Sequence, residues 1–334
     1  MNKLIFKFFY GSFELLLLYL VTILIIGCSE ITGKAAEEMQ NEISESPEIY
    51  FCPGDDCGKA LESRIRAANF SVHCAFYDMD LAKVADALSG KASAVDVKLV
   101  FDRSNYDEKL KLRNVRLDDN KQLMHNKFCV LDGNAVVTGS FNPTDNDNNY
   151  NNNNMLVISS KTLAKNYEEE FDEMRSGKFG GGSNVKNPVF YLNGMMVENY
   201  FCPEDDCASH IIGLIKSAES SVYFMSFSFT NEAIADSLVR KKGMDIRGIF
   251  DSSQASNKFS QFKRMKGFGL NVKLDSNKYK LHHKVFIIDN NTVVTGSFNP
   301  TLSADTKNDE NVIIIHDEKI AGLFLDEFDS LWNG

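Results

Sequence analysis

The sequence predicts an α/β protein built from two similar domains in tandem, each a mixed sheet flanked by helices, the pair arranged as a pseudo-twofold dimer within one chain. Three observations carry this. A stretch of aromatic, proline, acidic and cysteine residues, Tyr50 to Cys57, returns as Tyr200 to Cys207. After each copy, apolar strand patterns alternate with amphipathic helical ones in the same order. A glycine-rich polar segment, 177–188, separates the two.

Each element follows from its own pattern. Residues 60–68 and 208–218 space their apolar side chains at helical intervals, and the proline and aspartates before them suit helix entry. Residues 70–77 and 221–229 are apolar runs of strand length. After a second helix come strands 97–102 and 246–251, ending at Asp102 and Asp251. The apolar runs 124–131 and 281–288 precede Gly133-Asn134 and Asn290-Asn291, residues that tolerate positive φ, so both are expected to open two-residue hairpins. A strand (155–159, 311–316) and an amphipathic helix (163–174, 319–332) close each copy. Residues 189–201 carry Asn193-Gly194 between apolar flanks, a short hairpin leading into the second copy. The domains are then 48–176 and 189–334, each long enough for its own core.

Chemistry concentrates in the hairpins. His125, Lys127, Asp132, Ser140 and Asn142 recur at identical spacing as His282, Lys284, Asp289, Ser297 and Asn299. Histidine and lysine two apart on a strand share a face. Pairing about the two-residue turns sets His125 opposite Asn142 and Lys127 opposite Ser140, with the same outcome in the second copy. Each hairpin then offers an imidazole, an ammonium, a hydroxyl and an amide, which is half of a phosphate site. Asp132 and Asp289 have the other parity and are expected to be turn or network residues. His73, His210, His283 and His316 have no duplicated partner, and no chemistry is assigned to them.

The doubled string resembles the signature of the phospholipase D superfamily, whose members cut phosphodiesters by pairing two such motifs. The resemblance extends from residue 49 to 333 and implies two phospholipase D-like domains sharing one site. It also implies a two-step displacement with no metal or cofactor: one histidine forms a phosphohistidine and the other protonates the leaving alcohol. Lys127, Lys284, Asn142 and Asn299 would hold the non-bridging oxygens, with Ser140 and Ser297 as further donors. The family places an acidic residue after each motif to orient its histidine. Glu310 stands there after His282, whereas Asn153 takes the equivalent place after His125, so the carboxylate is expected behind His282 and only an amide behind His125. Phospholipid headgroups are the expected substrate. A metal-independent nuclease is the alternative, and a catalytically silent phosphate-binding protein the third reading.

The remaining features concern location. Lys3 and Lys7 precede the apolar run Leu15 to Ile26, and Cys28 closes a stretch resembling a bacterial lipobox, so residues 1–28 are expected to be a lipoprotein signal or a membrane anchor and 29–47 a polar tether. The duplicated pairs Cys52/Cys57 and Cys202/Cys207 read as two local disulfides suited to an oxidising, extracytoplasmic compartment, with reduced core thiols or a shared zinc site as alternatives. Cys74 and Cys129 are expected to be unpaired core thiols. Without the first 27 residues the chain keeps 34 basic and 45 acidic residues, a net charge of −11, which disfavours general adsorption to nucleic acid or anionic lipid. No obligate protein partner is implied.

Overall fold

The computed structural model describes residues 41–334, and Glu42–Gly334 forms one compact unit. The expected signal or anchor, including Cys28, lies outside the described residues.

After the two-residue edge strand β1 (Asn41–Glu42), the first half runs β2 (Glu48–Cys52), α1 (Cys57–Ala67), β3 (Ser71–Phe76), α2 (Ala82–Lys91), β4 (Asp96–Phe101), β5 (Val115–Leu117), β6 (Lys127–Leu131), β7 (Ala135–Gly139), α3 (Asp145–Asn149), β8 (Asn153–Ser159) and α4 (Lys161–Ser176). The second half opens with the hairpin β9 (Val189–Leu192) and β10 (Met195–Cys202), turning at Asn193-Gly194 as expected. It continues α5 (Cys207–Ser217), β11 (Ser221–Ser226), α6 (Glu232–Arg240), β12 (Asp245–Phe250), α7 (Ser252–Ala255), α8 (Phe262–Gly267), β13 (Asn271–Leu274), β14 (Lys284–Ile288), β15 (Thr292–Gly296), α9 (Leu302–Thr306), β16 (Glu310–His316) and α10 (Glu318–Asn333).

The two sheets have one topology. The first is ordered β2-β8-β7-β6-β3-β4-β5, and the second repeats it as β10-β16-β15-β14-β11-β12-β13, with β9 and β1 added at its edge. Both are mixed: β3 runs parallel to β4 and antiparallel to β6, as β11 does to β12 and β14. Helices α1 and α2 cover one face of the first sheet over a core that includes Leu61, Ile65, Val84 and Leu99, and α5 and α6 cover the second in the same way. The other faces, with α4 and α10, share a single core in which Phe128, Tyr167 and Phe171 meet Phe201, Phe324 and Phe328. Burying aromatic surface from both halves in one cluster is what fuses the domains. The glycine-rich segment 177–188 is held against the body. Gly180 donates its N–H to Asp309 and Ser183 donates to Glu173.

The histidine hairpins differ from expectation by one residue. Leu131 faces Ala135 and Ile288 faces Thr292, so the turns hold three residues each, Asp132-Gly133-Asn134 and Asp289-Asn290-Asn291. The reason lies in the aspartates. Asp132 accepts the backbone N–H groups of Asn69, Phe70 and Ser71, and Asp289 those of Glu219, Ser220 and Ser221. That anchoring holds Asp132 at φ 54° and Asp289 at φ 51° and draws them into the turn. In this register Lys127 falls opposite Gly139, and Lys284 opposite Gly296. A bulge then recovers the lost residue. The N–H groups of Ser140 and Phe141 both point to the Asn154 carbonyl, and those of Ser297 and Phe298 to that of Asn311.

The cysteines also depart from the sequence reading in one respect. Cys52–Cys57 and Cys202–Cys207 are disulfides, each bridging the turn into a first helix, and Cys74–Cys129 is a third. Cys74 and Cys129 lie directly opposite each other on β3 and β6, a register that no local pattern reveals.

Candidate active site

Both motif histidines line one cleft of about 490 Å³, together with Asn142, Asn299, Asp147, Lys280 and Glu310. They meet there because the chain just before each histidine pairs with the other half. His125 donates its N–H to the Asp309 carbonyl at 2.9 Å, and His282 donates to that of Asn152 at 2.8 Å. Side-chain bonds repeat the exchange: Thr138 to Asn311 (2.9 Å) is answered by Thr295 to Asn154 (2.8 Å). Contacts that recur with the halves interchanged are the signature of twofold symmetry.

This exchange crosses the supports. His125 Nδ1 lies 2.8 Å from Glu310 Oε2, and His282 Nδ1 lies 2.8 Å from Asn153 Oδ1. The sequence reading placed Glu310 behind His282 and Asn153 behind His125. The structure reverses this, because residues 308–310 and 151–153 each run beside the histidine segment of the opposite half. With Nδ1 held from behind, Nε2 is the atom each ring can offer to a ligand.

The lysines are buried, and each donates Nζ to the carbonyl of its own histidine at 2.6 Å. Lys127 also packs its cation against Tyr77, and Lys284 packs against Phe227. The same rings meet the histidines edge-on, with centroids 4.6 Å apart for Tyr77 and His125 and 4.9 Å for Phe227 and His282. Burial lowers the Lys127 ammonium to about 8 and holds Lys284 well below the ordinary lysine value, against the pull of nearby carboxylates. Burial likewise depresses both imidazoles. For His125, Glu310 works against the depression; His282 is brought down to about 3, with Lys284 adding to the effect of burial.

The serines are not presented to the cleft in the expected way. Ser297 donates its hydroxyl to Glu310 at 2.6 Å while accepting the Asn311 N–H, and Ser140 accepts the Asn154 N–H. Both are fully buried. The one-residue shift in register turns them inward, where they brace the bulge and, for Ser297, the carboxylate. Asn142 and Asn299 do reach the cleft, and the Oδ1 of each is buried without a partner.

A profile of the family described as "Cardiolipin synthase, PLD-like domain" matches residues 61–175 and again 211–332. The chain belongs to the phospholipase D superfamily. A phospholipase D of Rickettsia prowazekii is 35% identical over 136 residues, 40% of this chain and 66% of that protein. A mitochondrial cardiolipin hydrolase of Chlamydomonas reinhardtii is 34% identical over 127 residues, 37% of this chain and 57% of that one. The chain thus spans about two thirds of the length of the first of these relatives, and less of the second. The solved phosphatidylserine synthase of Haemophilus influenzae shares the fold, with a TM-score of 0.59, 16% identity and 84% of each chain covered.

Three features of this phospholipase D-like site escaped the sequence. Tyr77 and Phe227 sit just past β3 and β11 at duplicated positions, which was the signal available. Asp147, on α3, lies 3.3 Å from His282 Nδ1, and nothing in the asparagine-rich run that carries it sets it apart. Apart from the cleft, Glu170, Glu173 and Glu204 bring ligand atoms within 4.8 Å of one another, the one metal-capable cluster among the described residues. Burial and acidic neighbours raise Glu170 well above the usual carboxylate range. The four histidines without duplicated partners bond or stack locally: His73 pairs with Glu168, His316 with Glu198 and His283 with Glu327, and His210 stacks on Tyr200.

Proposed function

We propose that the protein is a membrane-tethered phosphodiesterase acting on phospholipid headgroups through a phosphohistidine. One observation carries the chemistry: two imidazoles from opposite halves, each held at Nδ1 from behind, line a single cleft. Nε2 of one histidine attacks phosphorus as the bond to the leaving alcohol breaks, and the second histidine gives that alcohol its proton. The second ring then takes a proton from water, the water oxygen bonds to phosphorus, and the first histidine is released. Lys127 and Lys284 lend the cleft positive charge while the phosphorane forms, and its oxygens accept the remaining Nδ2 hydrogens of Asn142 and Asn299.

Three features support a lipid substrate: relatives named phospholipase D and cardiolipin hydrolase, the acidic balance of the chain, and the apolar run 15–26 that would tether it. The tether and the disulfides fit a location outside the cytoplasm. A second reading, a nuclease, has its own support. Tyr150 and Tyr279, one from each half, lie with ring centroids 4.6 Å apart and planes tilted by 31°, Lys278 lies over Tyr279, and Lys280 lines the cleft, which together offer aromatic and cationic surface to unpaired bases. Purified protein is to be offered labelled phosphatidylcholine, cardiolipin, single-stranded DNA and RNA, with His125→Ala and His282→Ala as controls. Release of headgroup by wild type alone supports the proposal. Cleavage confined to nucleic acid selects the second reading, and turnover by either alanine variant at the wild-type rate refutes the two-histidine mechanism.

A further inference from the structure

The two histidines are not supported alike. Corresponding positions in the two motifs lie 157 residues apart (282 minus 125), so Asn153 answers to Glu310 and Asp147 to Ala304. Where the second half has a carboxylate on its strand and alanine on its helix, the first half has an amide on the strand and a carboxylate on the helix. We propose that Asp147 is a relocated carboxylate, a positioning residue that with Asn153 does for His282 what Glu310 does alone for His125. This rests on His282 being one of the two reacting histidines.

The geometry around His282 is over-determined. Asn153 donates its Nδ2 to the carbonyls of Asp147 and Asn151 at 3.2 and 3.1 Å, so its Oδ1 is the atom turned to His282 Nδ1. Asp147 Oδ2 lies beside the same nitrogen at 3.3 Å. Two acceptors at Nδ1 fix the proton there and leave Nε2 to face substrate. The carboxylate itself is clamped. Asp147 Oδ2 accepts the backbone N–H and Nδ2 of Asn142, each at 2.9 Å, and Oδ1 accepts Nδ2 of Asn151 at 2.6 Å.

The short helix α3 that bears Asp147 is fixed in turn. Thr144 accepts the Asp147 N–H, and Asn148 accepts the Gly58 N–H at 2.6 Å, tying α3 to the start of α1 beside the Cys52–Cys57 bridge. Asp147 is buried. Burial disfavours its ionised form, but His282, Asn151 and Asn142 together hold its carboxyl well below the usual range. The other charges acting on the ring are Lys284 on its own strand and Lys127 on β6. Asp147 is thus the negative group available to an imidazolium at 282, a charge that the amide of Asn153 cannot supply.

The test follows His282 directly by 15N NMR of its ring across pH, and in parallel follows hydrolysis of bis(4-nitrophenyl) phosphate. In Asp147→Asn the ring protonation that wild-type His282 shows as pH approaches about 3 is expected to disappear from the accessible range, and kcat to fall by ~10- to 100-fold with KM nearly unchanged. The double variant Asp147→Ala, Asn153→Glu, which copies the second half's arrangement, is expected to restore both. An unmoved His282 titration in Asp147→Asn, or a loss that the double variant does not restore, overturns the proposal and leaves Asp147 as a brace for Asn142 and Asn151. Should Asp147→Asn not fold, Asn153→Glu alone decides: with Asp147 already in place the added carboxylate is expected to bring no gain, and a clear rise in rate overturns the proposal. If wild type does not cleave the probe, the phosphodiesterase reading fails, and the NMR comparison still tests Asp147.

Discussion

Replacing Glu310 by glutamine keeps the shape of the side chain and removes its charge. The carboxylate is fully buried, 2.8 Å from His125 Nδ1, and receives Ser297 Oγ at 2.6 Å and Asn308 Nδ2 at 3.3 Å. A glutamine cannot satisfy all three donors, since its NH2 must face one of them. Unit charges at that separation in an effective dielectric of about 20 attract by about 6 kcal/mol, an upper bound on what the charge adds once His125 becomes cationic. Only the part that grows between ground and transition state affects the rate. If that is half to two thirds, about 3–4 kcal/mol, the reaction should slow by ~10²- to 10³-fold. The assay is steady-state hydrolysis of a chromogenic phosphodiester, with the His125 ring followed by 15N NMR to confirm where the change is felt. A rate within about threefold of wild type would refute the charge argument. A perturbed His282 with an unmoved His125 would refute the crossed wiring.

Other perturbations probe separate parts of the structure. Burial sets Lys127 near 8, so kcat/KM should fall as pH rises through that value, whereas an ordinary lysine stays charged to about 10.4; Lys127→Arg, which cannot lose its proton, should move or erase that limb. Stability should respond in the opposite sense. The folded state loses the Lys127 proton near 8 while the unfolded chain keeps it to about 10.4, so this group adds stability as pH climbs between the two. Non-reducing peptide mapping should find Cys74 linked to Cys129. By loop length that bridge, spanning 55 residues, should contribute about 4 kcal/mol against about 2 for either bridge spanning 5, so Cys74→Ala should lower the urea midpoint more than Cys52→Ala. Gly139→Ala should cost about 2 kcal/mol or more, because Gly139 holds φ 138° and a β-carbon there would meet the Asn154 carbonyl oxygen at 2.5 Å. Gly296→Ala should behave alike against Asn311. Normal thermal midpoints in these glycine variants would show that the bulges are not required.

The hydrophobic pattern and the duplication were enough to locate the long helices, most of the strands and the two histidine hairpins, but not the edge strands β5 and β13 or the short helices α3, α7, α8 and α9. These depend on neighbours a few residues apart: the apolar spacing of 60–68, the Asn193-Gly194 turn, the shared face of His125 and Lys127. Local reasoning failed where a distant group intervened. Asp132 looked like the residue before a two-residue turn, yet three backbone N–H groups from 69–71 pull it into the turn and shift the register, which turns Ser140 and Ser297 inward. Cys74 and Cys129 looked like isolated core thiols because their pairing depends on strand register. The sequence also named Glu310 and Asn153 as the residues behind the histidines, but could not say which served which. That choice belongs to the interface, where each histidine segment pairs with the opposite half, so chain proximity points to the wrong partner. Asp147 shows the same limit: a carboxylate in a run of asparagines becomes significant only when α3 is packed against α1 and directed at a histidine 135 residues further along the chain (282 minus 147). Local pattern determined what each half is made of, and long-range packing decided which atoms face one another across the site.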